Sequence, residues 1–196
     1  MTDIPAPVLI RFLLCFLAGS IPFAVLAMRG TGVDIRRAGS GNPGFNNVLR
    51  FSKSRALLTL AGDLGKGLLA VWLCLQPGDS VRLGWLYGFA AVVGHCYSPW
   101  LRFRGGKGIA TSAGVMLILY PGWAAAALAI FAVLRFAGSR LKWKEAGAIG
   151  SLSAWAAFTV LMAVFVGRED AAISAAMTLF LAWRHKKNFQ NLLATA

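Results

Sequence analysis

Polar and apolar positions alternate along this chain in blocks rather than residue by residue. Apolar runs occupy about Val8–Met28, Ala56–Leu75, Leu83–Leu101, Ile109–Phe136, Ala146–Val166 and Ala171–Trp183. About 20 residues of helix cross a ~30 Å hydrocarbon core, so these runs predict membrane helices. A signal peptide is the competing reading of the first run, with Arg11, then Phe12–Ala18, then Gly19-Ser20. The apolar pattern continues past Pro22 to Met28, which favours a span. Cys15 follows Leu14 rather than a small residue, which argues against a lipoprotein cleavage site.

The run at 109–136 is interrupted by Pro121-Gly122 and can be one kinked helix or two short ones. Charge decides between them. With two crossings, the stretches 29–55, 102–107 and 135–144 and the C-terminal end share one side, which then holds 16 of the 20 Lys and Arg residues. With one crossing this asymmetry collapses. Cytoplasmic loops carry the excess of Lys and Arg, so two short crossings are expected around Pro121. The expected fold is an all-α integral membrane protein, a seven-helix transmembrane bundle forming a single polytopic domain over residues 1–196. Its N-terminus lies outside and its C-terminus in the cytoplasm.

Composition agrees with that class. The 196 residues are 58% hydrophobic and only 14% charged, against about a quarter charged in soluble domains. The excess of 20 basic over 7 acidic residues, a formal +13, would suggest nucleic acid in a soluble protein. In so apolar a chain it points instead to anionic lipid or an anionic substrate, and no nucleic-acid partner is expected. Cys15, Cys74 and Cys96 are isolated, with neither disulfide nor zinc spacing.

The polar stretches carry the chemistry. Residues 34–50 combine Gly39, Gly41 and Gly44 with Ser40, Asn42, Asn46 and Asn47 and with Arg36, Arg37 and Arg50. Glycines that reach φ > 0 turn backbone N–H groups inward into a nest that suits phosphate. A solvated turn with membrane-flanking arginines is the alternative. Gly105-Gly-Lys-Gly108 resembles a nucleotide P-loop only superficially, because Gly108 replaces the magnesium-binding Ser or Thr. It reads as a second phosphate cradle opening onto a helix N-terminus at Ile109. Asp63 and Lys66 lie one helical turn apart inside an apolar run, as a structural ion pair or as part of a site. His95, the Ser151/Ser153 pair and Arg184-His185-x-x-Asn188 fall at the same membrane face as both loops. Neither histidine is followed by an aspartate five residues on, and no metal or cofactor is expected.

Gly19-Ser-Ile-Pro-Phe23, Asp34-Ile-Arg36, Gly39-Ser-Gly-Asn42, Gly44, Asn47, Arg50, Asp63-x-x-Lys66-Gly67, Gly94-His95, Gly105-Gly-Lys-Gly-x-Ala-Thr111 and Arg184-His-x-x-Asn188 occur in this order. Together they resemble the bacterial acyl-phosphate:glycerol-3-phosphate acyltransferase (PlsY) family over nearly the whole chain. The resemblance implies a multi-pass enzyme of the bacterial inner membrane with a cytoplasmic active site. It would move a fatty acyl group from acyl phosphate to glycerol 3-phosphate, giving lysophosphatidic acid and phosphate. The soluble enzyme that makes acyl phosphate would be a partner. Two departures stand out. Asn46 replaces the family's usual Thr, and the tail after Asn188 lacks the family's glutamate.

On this basis Ser40, Gly41, Asn42, Asn47, Arg50 and Lys66 are expected to hold the acyl phosphate. Gly105, Gly106, Lys107, Gly108, Thr111, Ser151, Ser153 and Arg184 are expected to hold glycerol 3-phosphate. His95, His185, Asn188 and Lys107 are the expected catalytic groups. The base can be His95, His185 or the donor's own phosphate. The phosphate is favoured because its proton affinity lies near neutrality. A transporter would instead place its site at the midplane between repeats, and no repeat is visible. A non-catalytic scaffold would not need two phosphate cradles.

Overall fold

The computed structural model describes residues 5–194. Helices α1 (Ala6–Ser20), α2 (Phe23–Met28), α3 (Phe45–Val48), α4 (Lys53–Cys74), α5 (Val81–Cys96) and α6 (Ile109–Leu119) come first. They are followed by α7 (Pro121–Arg140), α8 (Ala146–Leu161), α9 (Arg168–Arg184) and α10 (Lys186–Leu193). A 3-10 turn occupies Pro99–Leu101 and a π turn Met162–Val166. Among the described residues there is no strand. Among the described residues four helical stretches are long and apolar enough to cross a membrane: Ala6–Met28, Lys53–Cys74, Pro121–Arg140 and Ala146–Val166. Their outward leucines and aromatics, such as Leu13, Leu58, Trp72, Leu73 and Val160, are exposed as a lipid-facing surface requires. The contacts divide the chain into two compact units that meet in sequence at Leu119 and Tyr120.

In the first unit, helix backbones touch at small residues. A Cβ on Gly19 of α1 would lie 2.0 Å from the Ala91 oxygen of α5, and one on Gly94 would lie 2.1 Å from the Phe16 oxygen. The α4–α6 pair repeats the device, Gly67 against the Thr111 oxygen (2.0 Å) and Gly114 against the Leu64 oxygen (2.1 Å). Gly84 and Gly88 pack α5 against Leu119 and Val115 of α6. Small-residue contacts of this kind let dispersion hold helices together where lipid removes the hydrophobic drive. Arg11 joins Asp79 at 2.5 Å and the Cys74 carbonyl at 3.1 Å, tying α1 to the turn between α4 and α5. The first polar loop does not float. It rests on a buried cluster of Ala24, Met28, Ile35, Val48 and Ala56.

In the second unit, α7 packs on α8 and α8 on α9. Ala124, Ala127, Trp155, Phe158, Met177 and Leu181 form its core. Tyr120 donates to Asp170 at 2.5 Å, and Thr159 and Thr178 pair at 3.0 Å across α8 and α9.

Three boundaries differ from the sequence expectation. The third apolar run stops being α-helical at Cys96 rather than Leu101, because Pro99 pushes Ser98 out of helical conformation and starts a 3-10 turn. The break near Pro121 is present, with Tyr120 at φ −142° and Pro121 at the first helical position. Only one of the two helices is short, however. The α6 helix has 11 residues and α7 has 20, because α7 continues to Arg140, whose long side chain can reach the interface from a helix end. Finally, α10 was not expected. Phe189, Leu192 and Leu193 form an apolar stripe on it, opposite Lys187, Gln190 and Asn191.

Candidate functional site

Asn47 organises the first loop. Its amide donates to the Ile35 and Ala38 carbonyls at 3.1 and 3.0 Å, and its oxygen accepts from the Ser40 N–H at 2.9 Å. The side chain is 1% exposed, so it shapes the nest from within rather than facing a ligand. Gly39 and Gly41 do take positive φ, 59° and 69°. Gly44 does not. At φ −164° it is extended and precedes α3. Asp34 grips Arg36 with both oxygens, at 2.8 and 2.9 Å, and also accepts the Arg36 N–H. The Arg36 hydrogen bonds hold the Asp34 carboxyl at about 2, well below its usual range. The clamp is therefore intact above the ordinary aspartate pKa and is released only as pH falls through the folded value. Ser40 and Arg50 are exposed, and Asn42 is half-buried. The Arg50 side chain has no ion pair among the described residues.

The second loop folds back onto the end of α5. Gly105 N–H donates to the Cys96 carbonyl at 3.1 Å and Gly106 N–H to that of His95 at 3.2 Å. These two donors are engaged within the protein, so they do not form the open cradle that the glycine spacing suggests. A Cβ on Gly105 would lie 2.0 Å from the His95 oxygen, and one on Gly106 would lie 2.1 Å from His95 Nε2. The glycines are required by proximity. Only Gly108 has positive φ, at 88°, where the chain turns into α6. The part suited to an anion is therefore Lys107, Gly108 and the N-terminal turn of α6. Within α6, the Thr111 hydroxyl is buried without a hydrogen-bond partner among the described residues.

Beneath this loop lies a buried charged group. Lys66 Nζ is 2.8 Å from Asp63 Oδ1 and donates to the Ile21 carbonyl at 2.8 Å. His95 Nδ1 lies 3.5 Å from the same Asp63 oxygen. Asp63 therefore serves both Lys66 and His95. Lys66, expected to face the donor phosphate, instead holds the carboxylate and the α1–α2 break in place. Spacing predicts the Lys66 contact, but nothing in it reveals the contact from α5.

In the second unit, Ser151 is buried and donates to the Ala148 carbonyl at 3.1 Å, while Ser153 is half-buried. The guanidinium of Arg184 sits 5.8 Å from the Trp183 ring centre. His185 Nδ1 lies 2.8 Å from the Leu181 carbonyl, which favours the tautomer with its proton on Nδ1. Asn188 donates to Glu145 at 2.5 Å and Asn191 donates to its other oxygen at 2.7 Å. Sequence reasoning missed Glu145. Its available signal was a lone carboxylate directly after Arg140, Lys142 and Lys144.

Apolar helices that carry cation-rich glycine loops and a buried Asp–Lys–His group define a helical membrane enzyme that handles anionic substrates. The chain belongs to the glycerol-3-phosphate acyltransferase (PlsY) family, whose model matches residues 9–195, and it is an integral membrane acyltransferase of phospholipid synthesis. It is 41% identical over 186 residues to the glycerol-3-phosphate acyltransferase of Azotobacter vinelandii, covering 93% of this chain and 94% of that one. It is 42% identical over 188 residues to that of Pseudomonas entomophila, with the same coverage. Among solved structures it is similar to PlsY (YgiH), an integral membrane glycerol 3-phosphate acyltransferase, in its glycerol 3-phosphate form. The TM-score is 0.83 and the identity 28%, covering 96% of this chain and 92% of that one. The lysophosphatidic acid form of the same protein gives 0.82 and 27%.

Proposed function

We propose that this enzyme transfers a fatty acyl group from acyl phosphate to the 1-hydroxyl of glycerol 3-phosphate, releasing phosphate and lysophosphatidic acid. The observation that carries this reading is the state of the one carboxylate near the second loop. Asp63 is shared by Lys66 and His95, and Gly106 walls the far side of the imidazole. In that arrangement the carboxylate is buried and committed to two partners. An acyl phosphate needs no protein base, because it is already activated and its phosphate can accept the hydroxyl proton. The protein then supplies alignment, worth about 7–11 kcal/mol in favourable cases, and positive charge at the developing oxyanion. The first loop, with Ser40, Gly41, Asn42 and Arg50, holds the donor. Lys107, Gly108, Thr111 and the α6 N-terminus hold the acceptor phosphate. In the second unit, Asn188 positions the C-terminal segment through Glu145. An assay of the purified protein with glycerol 3-phosphate and acyl phosphate, acyl-CoA or acyl carrier protein tests the reading. Phosphate release that needs both acyl phosphate and glycerol 3-phosphate supports it, whereas turnover with a thioester donor alone overturns it.

The exposed Arg50 is assigned to a two-point grip on the donor phosphate. Lysine keeps the charge but loses the planar fork. Arg50→Lys is expected to lower turnover about tenfold, or about 1.4 kcal/mol of transition-state stabilisation, with insertion unchanged. Normal turnover in that variant would return Arg50 to a membrane-flanking role.

The proposed topology has seven crossings, with both glycine loops and the C-terminus in the cytoplasm of a bacterial inner membrane. Reporters after Ala196 and near Ser139 and Lys53 should read cytoplasm, and one near Asp79 should read outside. An external C-terminus would remove the second crossing at Pro121.

A further inference from the structure

The first loop and the turn after α5 enclose an open cavity of about 550 Å³, bordered by Arg36, Arg37, Arg102, Arg104, Gly41 and Trp100. Four guanidinium groups surround it and no carboxylate lines it. Asp34 offsets Arg36, and Arg37 stands 3.9 Å from the same carboxylate. Arg102 and Arg104 have no ion pair among the described residues. One carboxylate against four guanidinium groups leaves the cavity with an excess of positive charge, so the arrangement is best satisfied by an anion. Of the residues assigned to the substrates only Gly41 borders this space, and none of Asp63, Lys66, His95 or Gly105–Gly108 does.

The turn that presents two of these arginines is held in an unfavourable conformation. Arg102 and Phe103 both take left-handed φ, 52° and 60°, which side-chain-bearing residues avoid. Phe103 N–H donates to the Ser98 carbonyl at 2.9 Å and Arg104 N–H to that of Leu101 at 3.0 Å. Ser98 is itself anchored to the Ser20 carbonyl at 2.6 Å, and the Trp100 indole donates to Ser20 Oγ at 2.9 Å. So anchored, the turn leaves two large aromatic residues uncovered, Trp100 at 65% and Phe103 at 62% exposure. Exposed aromatic rings beside arginines at the end of an apolar helix match the headgroup layer, where rings sit among acyl chains and guanidinium groups meet phosphate.

We propose that this four-arginine cavity binds the phosphate headgroup of an anionic membrane phospholipid that is not consumed in the reaction, with Trp100 and Phe103 against its acyl chains. The arginines match phosphodiester oxygens through planar forks. A soluble phosphate would use the arginines but not the exposed rings.

Native mass spectrometry of the detergent-solubilised protein, without substrates, tests this independently of the proposed reaction. The probes are phosphatidylglycerol, phosphatidylcholine and inorganic phosphate. The wild type is expected to retain one phosphatidylglycerol about tenfold more strongly than phosphatidylcholine, and Arg102→Gln/Arg104→Gln is expected to lose that preference. Arg104→Gln alone should give an intermediate loss, and it serves if the double variant does not fold. Equal retention by the variants would overturn the site. Displacement of the lipid by millimolar inorganic phosphate would make it a soluble-phosphate site and overturn the lipid assignment.

Discussion

Lys66→Met should yield little folded protein and no acyl transfer. The Asp63 and Lys66 side chains are each only 4% exposed, and their contact is 2.8 Å. Removing the ammonium leaves a carboxylate buried in an apolar helix with only the longer His95 contact, at 3.5 Å, beside it. Breaking a buried pair in this way costs about 3–5 kcal/mol, a large part of the 5–15 kcal/mol that holds a typical domain together. Asp63→Leu/Lys66→Met removes both charges and should recover much of the folded yield, since a well-packed apolar pair is often neutral or better. Activity should not return with it, because His95 then loses its orienting oxygen and the Ile21 carbonyl its donor. Yield and thermal stability on size exclusion separate the two effects. Normal folding and activity in Lys66→Met would show the pair to be dispensable. Full activity in the double variant would show that it serves the fold alone.

Gly106→Ala should be the most damaging single-methyl change in the second loop. The added carbon would lie 2.1 Å from His95 Nε2 and 2.9 Å from its Cε1, far inside contact distance. The loop cannot retreat freely, because the same residue's N–H is bonded to the His95 carbonyl. Either the ring swings away from Asp63 or the loop carries Lys107 out of place. A displacement of about 1 Å in a positioned group can lower turnover about a hundredfold. The loss should appear in kcat as well as in KM for glycerol 3-phosphate. A rise confined to that KM would place His95 outside the chemistry. His95→Ala/Gly106→Ala restores the room, so recovery of activity in that pair would make the ring a mere obstacle.

The sequence made the helices legible because membrane spans are written in composition. Long apolar blocks bounded by Arg and Lys admit few alternatives, and Pro121 marked the break. Local turns were less accessible. The left-handed Arg102 and Phe103 carry no glycine to announce them, since hydrogen bonds to Ser98 and Leu101 impose their conformation. The glycine loops were recognised for the wrong physical reason in part. Gly105 and Gly106 are small because His95 lies against them, a contact between residues distant enough in sequence to leave no periodic trace. An amide in a glycine loop suits phosphate, which makes Asn47 read as a ligand in the sequence, but three hydrogen bonds turn it inward. Glu145 was passed over because its partners, Asn188 and Asn191, lie more than 40 residues away.

The break between α1 and α2 has a consequence for how the chain is made. At this break the Ser20 carbonyl accepts from Ser98, and the Ile21 carbonyl accepts from Lys66. Both partners are synthesised after the break itself, 78 and 45 residues later. At roughly 5–20 residues per second, the Ser98 hydroxyl emerges about 4–16 s after Ser20. During that interval the Ser20 carbonyl needs water or the insertion machinery for hydrogen bonding, whereas the Ile21 carbonyl already accepts from the Phe23 N–H at 3.1 Å. The break in the nascent first span is thus under pressure to stay near water, and the span settles fully into lipid only when α5 and the turn beyond it arrive.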